Sequence, residues 1–289
     1  MQSTPPVISV EELVALKSTG RCIICDARNN AHAAEQYAQE HIDGALFIDV
    51  NKHLAKIPDS PQLGGRHPLP RIEDFADTLS YLGITAEHHV VIYDDAHGAN
   101  AAARFWWMLK AVGHDKVYVL NGGIQQAKRM GFPLNANTVV NAKSPTLYPV
   151  TQWLLPTVSM DEVEAMSGNA KSRILDVRSR ERFEGITEPI DRIAGHIPGA
   201  LNLPFTENLD NQGLIRDPRE LRKTYEDFFH DIRPENRIVH CGSGVTACHT
   251  ILAMAYAGLS LPKLYVGSWS EWSNNHKPMI TRDDETNRA

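Results

Sequence analysis

Cys241-Gly242-Ser243-Gly244-Val245-Thr246-Ala247 places a thiol in a run of small residues. The apolar Arg237-Ile238-Val239-His240 before it reads as a short buried strand. After it, Val245, Cys248, Leu252 and Ala255 fall on one helical stripe that Gly258 ends. A cysteine between a strand and a helix meets backbone N–H groups that lack intrahelical partners and can converge into an anion-binding nest. The helix dipole adds positive partial charge. Such a thiol ionises more readily than a free one, and the thiolate is the nucleophile. Gly242 and Gly244 let the main chain curl around the sulfur.

Four readings compete for this loop. A buried structural cysteine is the plain one, and the glycines count against it. A dinucleotide loop fits Gly242-Ser243-Gly244-Val245-Thr246-Ala247 literally, but the next strand, Lys263-Leu264-Tyr265-Val266, ends without the acid that a ribose needs. A cysteine phosphatase needs an arginine six residues after the thiol, where Ala247 stands. The fourth reading is a sulfur-transfer loop, with a persulfide cradled by N–H donors.

The elements that must hold this loop occur twice. In the first half, a helix over Val10–Ser18 follows Ser9 and Glu12, which are spaced as a capping box. The strand Cys22-Ile23-Ile24-Cys25 runs to Asp26-Ala27-Arg28. Leu46-Phe47-Ile48, Val90-Val91-Ile92-Tyr93 and Val117-Tyr118-Val119-Leu120 are further strands, and helices are expected near Ile72–Leu82 and Ala101–Val112. In the second half, Ile174-Leu175-Asp176-Val177-Arg178 answers Ile24 to Arg28, and His196-Ile197-Pro198-Gly199-Ala200-Leu201 answers His41 to Leu46. His240-Cys241 answers Tyr93-Asp94. So long a period is a duplicated domain rather than a solenoid. Strands that alternate with helices, several of them continuous apolar runs, predict α/β domains with mostly parallel sheets flanked by helices. We place an N-terminal copy at 1–138, a polar linker at 139–156 and a C-terminal copy at 157–289. Ligands bind beyond the carboxyl ends of such strands. The first copy has Asp94 at the cysteine position and cannot carry sulfur, so one active site per chain is expected.

The bulk properties narrow the partners. A net charge of −6 argues against nucleic acid and the membrane surface. No run of apolar residues is long enough to span a bilayer. Met1 to Pro6 lacks the charged start and apolar core of a signal peptide. Four cysteines in 289 residues make no disulfide framework, which points to the cytoplasm. Cys22 and Cys25 sit within a strand and face opposite ways, so they read as core packing rather than a redox pair. Cys248 reads the same way. No zinc spacing is present, and no metal or organic cofactor is called for.

The loop, together with Gly195-His196-Ile197-Pro198-Gly199-Ala200, Trp106-Trp107-Met108-Leu109 and Gly267-Ser268-Trp269-Ser270-Glu271-Trp272, resembles the tandem-domain rhodanese family on its 3-mercaptopyruvate sulfurtransferase side. The resemblance spans nearly the whole chain and implies two rhodanese-like domains. It implies sulfur transfer from 3-mercaptopyruvate, through a Cys241 persulfide, to cyanide or a thiol acceptor such as thioredoxin or glutathione. It also implies a monomer or weak homo-oligomer. Arg182 and Arg192 match the two arginines that hold the donor's carboxylate, a task suited to a planar guanidinium. Gly242, Gly244, Val245 and Thr246 would line the donor site. Ser243 and His67 match a serine–histidine relay. Its acid position falls on Asn51, and Asp49, two residues earlier, is the candidate substitute. His41 and His196 read as structural, and Asp26 and Asp176 as loop ties. Thiosulfate is the alternative donor; that dianion favours basic loop residues, where this loop has Gly242 and Ser243, whereas mercaptopyruvate carries its carboxylate farther from the sulfur. A non-enzymatic sulfur-binding module is the alternative from another class.

Overall fold

The computed structural model describes residues 5–140, 143–282 and 284. Met1–Thr4, part of the stretch weighed above as a signal peptide, lie outside the described residues. The strands are β1 (Val7–Ile8), β2 (Cys22–Asp26), β3 (His41–Ile42), β4 (Leu46–Phe47), β5 (His89–Tyr93) and β6 (Val117–Leu120). They continue with β7 (Leu134–Asn135), β8 (Arg173–Asp176), β9 (Ala200–Asn202), β10 (Arg237–His240) and β11 (Lys263–Leu264). They form a five-stranded sheet in the order β1-β6-β5-β2-β4, a four-stranded sheet in the order β11-β10-β8-β9, and the pair β3-β7. Every pairing within the two larger sheets is parallel.

The order β6-β5-β2-β4 is the order β11-β10-β8-β9, so the duplication read from sequence is one of topology. Even the edge is echoed. β1 pairs with β6, and in the second sheet Thr157 forms a single parallel bridge with Leu264 of β11. Capping repeats too. Ser9 and Glu12 close the expected box on the helix Val10–Ser18, and Ser159 and Glu162 close another on the helix Met160–Met166.

Two compact units result, each built around one of these sheets. One contains the chain up to Ala55, Pro70–Leu155 and Asp210–Ile215. The other contains Lys56–Leu69, Pro156–Leu209 and the chain from Arg216. A strap from the N-terminal half of the sequence, Lys56–Leu69, thus belongs to the unit that holds Cys241. The resemblance put one strap residue, His67, beside Ser243 but counted it to the N-terminal domain, because a polar Pro/Gly loop looks alike wherever it packs.

The second unit is sealed by Val158, Val163, Ile174, Ile197, Ile238, Tyr265, Trp269 and Trp272, all buried. The central strand β10 buries Ile238, Val239 and His240 completely, as a parallel strand covered on both faces must. The following helix, Ala247–Tyr256, buries every residue from Ala247 to Met254. β11 stops at Leu264, two residues short of the expected strand. Tyr265 still donates its N–H to Val239, but the chain then turns through Ser268 at φ 54°. Cys22 and Cys25 are unpaired thiols in β2, and burial pushes the Cys22 thiol up to about 11. The Cys25 thiol is raised as well, chiefly by burial. That is the behaviour of packing, not of a redox pair.

Candidate active site

Cys241 follows the last residue of β10 and is only 2% exposed. Its main chain is fixed by the start of the helix Ser268–Asn274. The Cys241 N–H donates to Ser268 Oγ at 3.2 Å, and Ser268 Oγ donates to the Tyr265 carbonyl at 2.8 Å. The carbonyls of Cys241 and Gly242 accept from the N–H groups of Trp269 and Ser270 at 3.0 and 2.8 Å. In a trans peptide the C=O and the next N–H point in opposite directions. Tying those two carbonyls to the helix therefore turns the Gly242 and Ser243 N–H groups away from it. Gly244 is required: its φ is +72°, and a Cβ there would lie 2.5 Å from the Val266 carbonyl oxygen. Val245 is buried, Thr246 precedes the helix without a side-chain cap, and the Cys248 thiol donates to the Gly244 carbonyl at 3.3 Å.

What such a strand end does with its amides is visible in the first unit. Asp94 follows β5 as Cys241 follows β10. Its buried carboxylate accepts from the N–H groups of Ala96, Gly98, Asn100 and Ala102, at 2.9, 2.7, 3.0 and 3.1 Å. Four amides therefore converge on one anion, although burial itself pushes the Asp94 carboxyl up.

The strap supplies the other side of the second unit's site. Its ends close on each other, Lys56 N–H to the Pro68 carbonyl at 3.1 Å. Gly64 N–H donates to Glu271 at 3.0 Å, the Gln62 side chain donates to the Asn274 carbonyl, and the Asn275 side chain donates to the Gln62 carbonyl, both at 3.0 Å. Gly65, at φ +80°, lies so close that a Cβ would sit 2.3 Å from the Gly267 carbonyl oxygen. This approach delivers the next two residues to the loop. His67 Nδ1 lies 2.8 Å from Ser243 Oγ, the pair expected from sequence. Arg66, which the sequence reading missed, turns its guanidinium toward Gly242.

A Cβ placed on Gly242 would lie 3.1 Å from Arg66 Nη2 and 3.3 Å from Arg182 Nη2. These are the guanidinia beside the loop. Arg182 is in the expected place, whereas Arg192 is exposed. Burial lowers the Arg66 guanidinium below its ordinary value, with the Cys241 sulfur opposing that shift as a negative neighbour. Both arginines are internally paired. Arg182 Nη2 binds Glu188 at 2.8 Å and Asp191 at 3.1 Å, and Arg66 Nη1 also binds Asp191. Glu188 and Asp191 were missed as well, and no signal in their segment could have revealed them. Residues 186–193 turn those two acids inward and leave Ile186, Ile190 and Ile193 exposed, the reverse of what hydropathy predicts.

Asp49 lies in the first unit. It caps the helix Val50–His53, accepting from the N–H groups of Asn51 and Lys52. Asp176 and Arg178 form a buried pair at 2.6 Å, and Arg178 also donates to the Gly195 carbonyl. Asp26 and Arg28 do the same with the Glu40 carbonyl. Those aspartates tie loops, as their positions suggested. Arg178 stacks over Trp269, 4.5 Å from the ring centroid, which braces the helix start beneath Cys241. His196 and His41 each bond a helix carbonyl and stack on Phe183 and Tyr37, which is a structural duty. Among the described residues no cluster of His, Cys, Asp or Glu could hold a metal ion.

Comparison with known proteins agrees with this architecture. The rhodanese-like domain model matches residues 9–130 and again 159–275. A probable 3-mercaptopyruvate sulfurtransferase of Pseudomonas aeruginosa is 35% identical over 97% of this chain and 100% of its own length. A mouse thiosulfate sulfurtransferase is 32% identical over 85% of this chain and 82% of its own. The structure of 3-mercaptopyruvate sulfurtransferase from Leishmania major superposes with a TM-score of 0.82 at 31% identity, covering 99% of this chain and 80% of that one. With the domain matched twice along a duplicated fold, the chain belongs to the rhodanese family, as a tandem-domain sulfurtransferase.

Proposed function

We propose that this enzyme takes sulfur from 3-mercaptopyruvate onto Cys241 and passes it to a thiol, releasing pyruvate. The observation that carries the reading is the grouping of a buried thiol, two guanidinia beside Gly242 and a His67–Ser243 pair around one loop. The Cys241 thiolate attacks the donor sulfur, and an S–S bond forms as the C–S bond breaks. The electron pair of the broken bond goes to the carbon, giving the enolate of pyruvate. The donor's own thiol proton ends on that carbon, leaving a persulfide anion and neutral methyl. Ser243 and His67 are placed to carry that proton, which is general acid work suited to a histidine. Arg66 and Arg182 hold the donor carboxylate, so Arg66 takes the role that sequence assigned to Arg192. Asp94 with its four amides is the precedent for a sheltered persulfide anion at such a strand end. In the second stage a thiol such as glutathione or thioredoxin attacks the outer sulfur, its proton leaves, and Cys241 returns as the thiolate. Two stages through one covalent intermediate give ping-pong kinetics.

Thiosulfate is the second reading, favoured by the same two guanidinia, which could grip a sulfonate. Values of kcat/KM for both donors, measured side by side, decide between them. Mercaptopyruvate should lead, and a clear lead for thiosulfate would overturn the assignment. Enzyme exposed to donor without reductant should gain the mass of one sulfur atom on the Cys241 peptide, and Cys241→Ser should not. The cytoplasm is the proposed compartment. Among the described residues no helix is long and apolar enough to cross a membrane.

A further inference from the structure

We propose that Asp191 is the residue that sets donor choice: its carboxylate, held between Arg66 and Arg182, keeps the site neutral enough to favour a monoanionic donor over a dianionic one. The inference rests on the donor site proposed above.

The charge inventory beside Gly242 is short. Two guanidinia face it, Arg66 and Arg182. Two carboxylates answer them, Glu188 and Asp191, whose side chains are 3% and 2% exposed. Glu188 is a fixture of the fold. It accepts from the N–H groups of Ile190 and Asp191, from Arg182 Nε at 3.0 Å, and pairs with Arg178 at 3.3 Å. Asp191 is different, because its carboxylate oxygens are directed at the two donor-site arginines. Its burial also has a cost in the surrounding segment, which exposes Ile186 at 56% and Ile190 at 60%. A buried carboxylate is tolerated only where it is paired. Here the pairing uses the two cations that a donor anion needs.

The consequence is unequal for the two donor types. With Asp191 ionised, Arg66, Arg178 and Arg182 balance Asp176, Glu188 and Asp191, three against three. A donor arriving beside the Cys241 thiolate then adds its own negative charge to a site with no surplus positive charge. Coulomb energy scales with the product of charges, so Asp191 disfavours a dianion about twice as strongly, in free energy, as a monoanion at the same place. Mercaptopyruvate carries one full negative charge and thiosulfate two.

The test is Asp191→Asn, in the full chain, assayed with both donors and cyanide as acceptor. If the variant raises kcat/KM for mercaptopyruvate about fivefold, thiosulfate should rise by about the square, roughly twenty-five-fold. The expected result is therefore a donor ratio that moves several-fold toward thiosulfate. An unchanged ratio overturns the proposal, and so does a ratio that moves toward mercaptopyruvate. Should the variant fold poorly, Asp191→Ser takes its place, with the same ratio expected and the same outcomes overturning the proposal; Arg66→Gln combined with Asp191→Asn removes the pair together and leaves no charge unmatched. Its ratio should return toward that of the parent enzyme, and a ratio that stays with Asp191→Asn also overturns the proposal. The parent enzyme keeps the two readings separate. If it fails to use mercaptopyruvate, the proposed function is wrong; if it uses it but Asp191→Asn leaves the ratio fixed, only the role of Asp191 is wrong.

Discussion

Arg66→Ala removes one of the two guanidinia beside Gly242 and leaves the other committed. Arg182 already binds Glu188 at 2.8 Å and Asp191 at 3.1 Å, so it alone would face both carboxylates. The site would pass from balance to one surplus negative charge, next to the nucleophile. A hydrogen bond to a charged group contributes about 1.5–3 kcal/mol. Loss of about 2 kcal/mol lowers kcat/KM for mercaptopyruvate about 30-fold, and the unmatched Asp191 pushes the loss toward the upper end of the range. The loss should fall mainly on KM, because the carboxylate is bound equally before and during C–S cleavage. Arg192→Ala is the control. Arg192 is exposed, and removing an exposed side chain should change kcat/KM less than about threefold. Steady-state assays with mercaptopyruvate varied at saturating acceptor measure both variants. If Arg192→Ala were the more damaging, the reasoning would be refuted, and the pairing read from sequence would stand over the one read from geometry.

The strap gives a second test. Gly65→Ala places a Cβ 2.3 Å from the Gly267 carbonyl oxygen at a φ of +80°, a strain of at least about 2 kcal/mol. It should lower kcat at least about tenfold by shifting Arg66 and His67; unaltered kinetics would mean that the strap does not position them. His67→Asn and Ser243→Ala should each lower kcat by about 100-fold or more, with the double variant little worse than either. Multiplying losses would show that the 2.8 Å contact is not a working unit. Stability should fall in mild acid. Burial holds His114 and His249 down to about 4, so between there and the ordinary histidine value the unfolded chain binds more protons. Each histidine then contributes stability that is present near neutral pH and fades toward pH 4, up to about 3 kcal/mol apiece. Urea unfolding from pH 7 to 4.5 measures it; a flat profile would put these rings in water.

What the sequence could show followed from local chemistry. Near-continuous apolar runs gave the parallel strands, Ser9 with Glu12 gave a helix start, and Tyr93-Asp94 set against His240-Cys241 gave the duplication. Each of those signals lies within a few residues of its consequence. Arg66 and Asp191 have no such signal, since their roles arise from residues far apart in the chain. The cue for Arg66 was only its place beside His67 and after Gly64-Gly65. Asp191 was concealed further, because its segment buries acids and exposes isoleucines. The strap Lys56–Leu69 hid in the same way, a polar loop whose packing partners are more than a hundred residues away.

The two copies also show what separates a scaffold from a catalyst in this fold. Both keep the Asp–Arg tie, the histidine stacked on an aromatic ring, and a central strand ending in a loop. They differ in what the strand-end residue does with the amides near it. Asp94 accepts four of them itself, so its cradle is filled by its own carboxyl group and its loop is closed on a fixed geometry. Cys241 offers a side chain too short and too weak an acceptor to do the same, while its carbonyl and that of Gly242 are tied off by the Trp269 and Ser270 amides. The amides left over are worth most when the sulfur gains a second sulfur and a full negative charge. On the proposed mechanism, a strand-end carboxylate and a persulfide are alternative occupants of one kind of site.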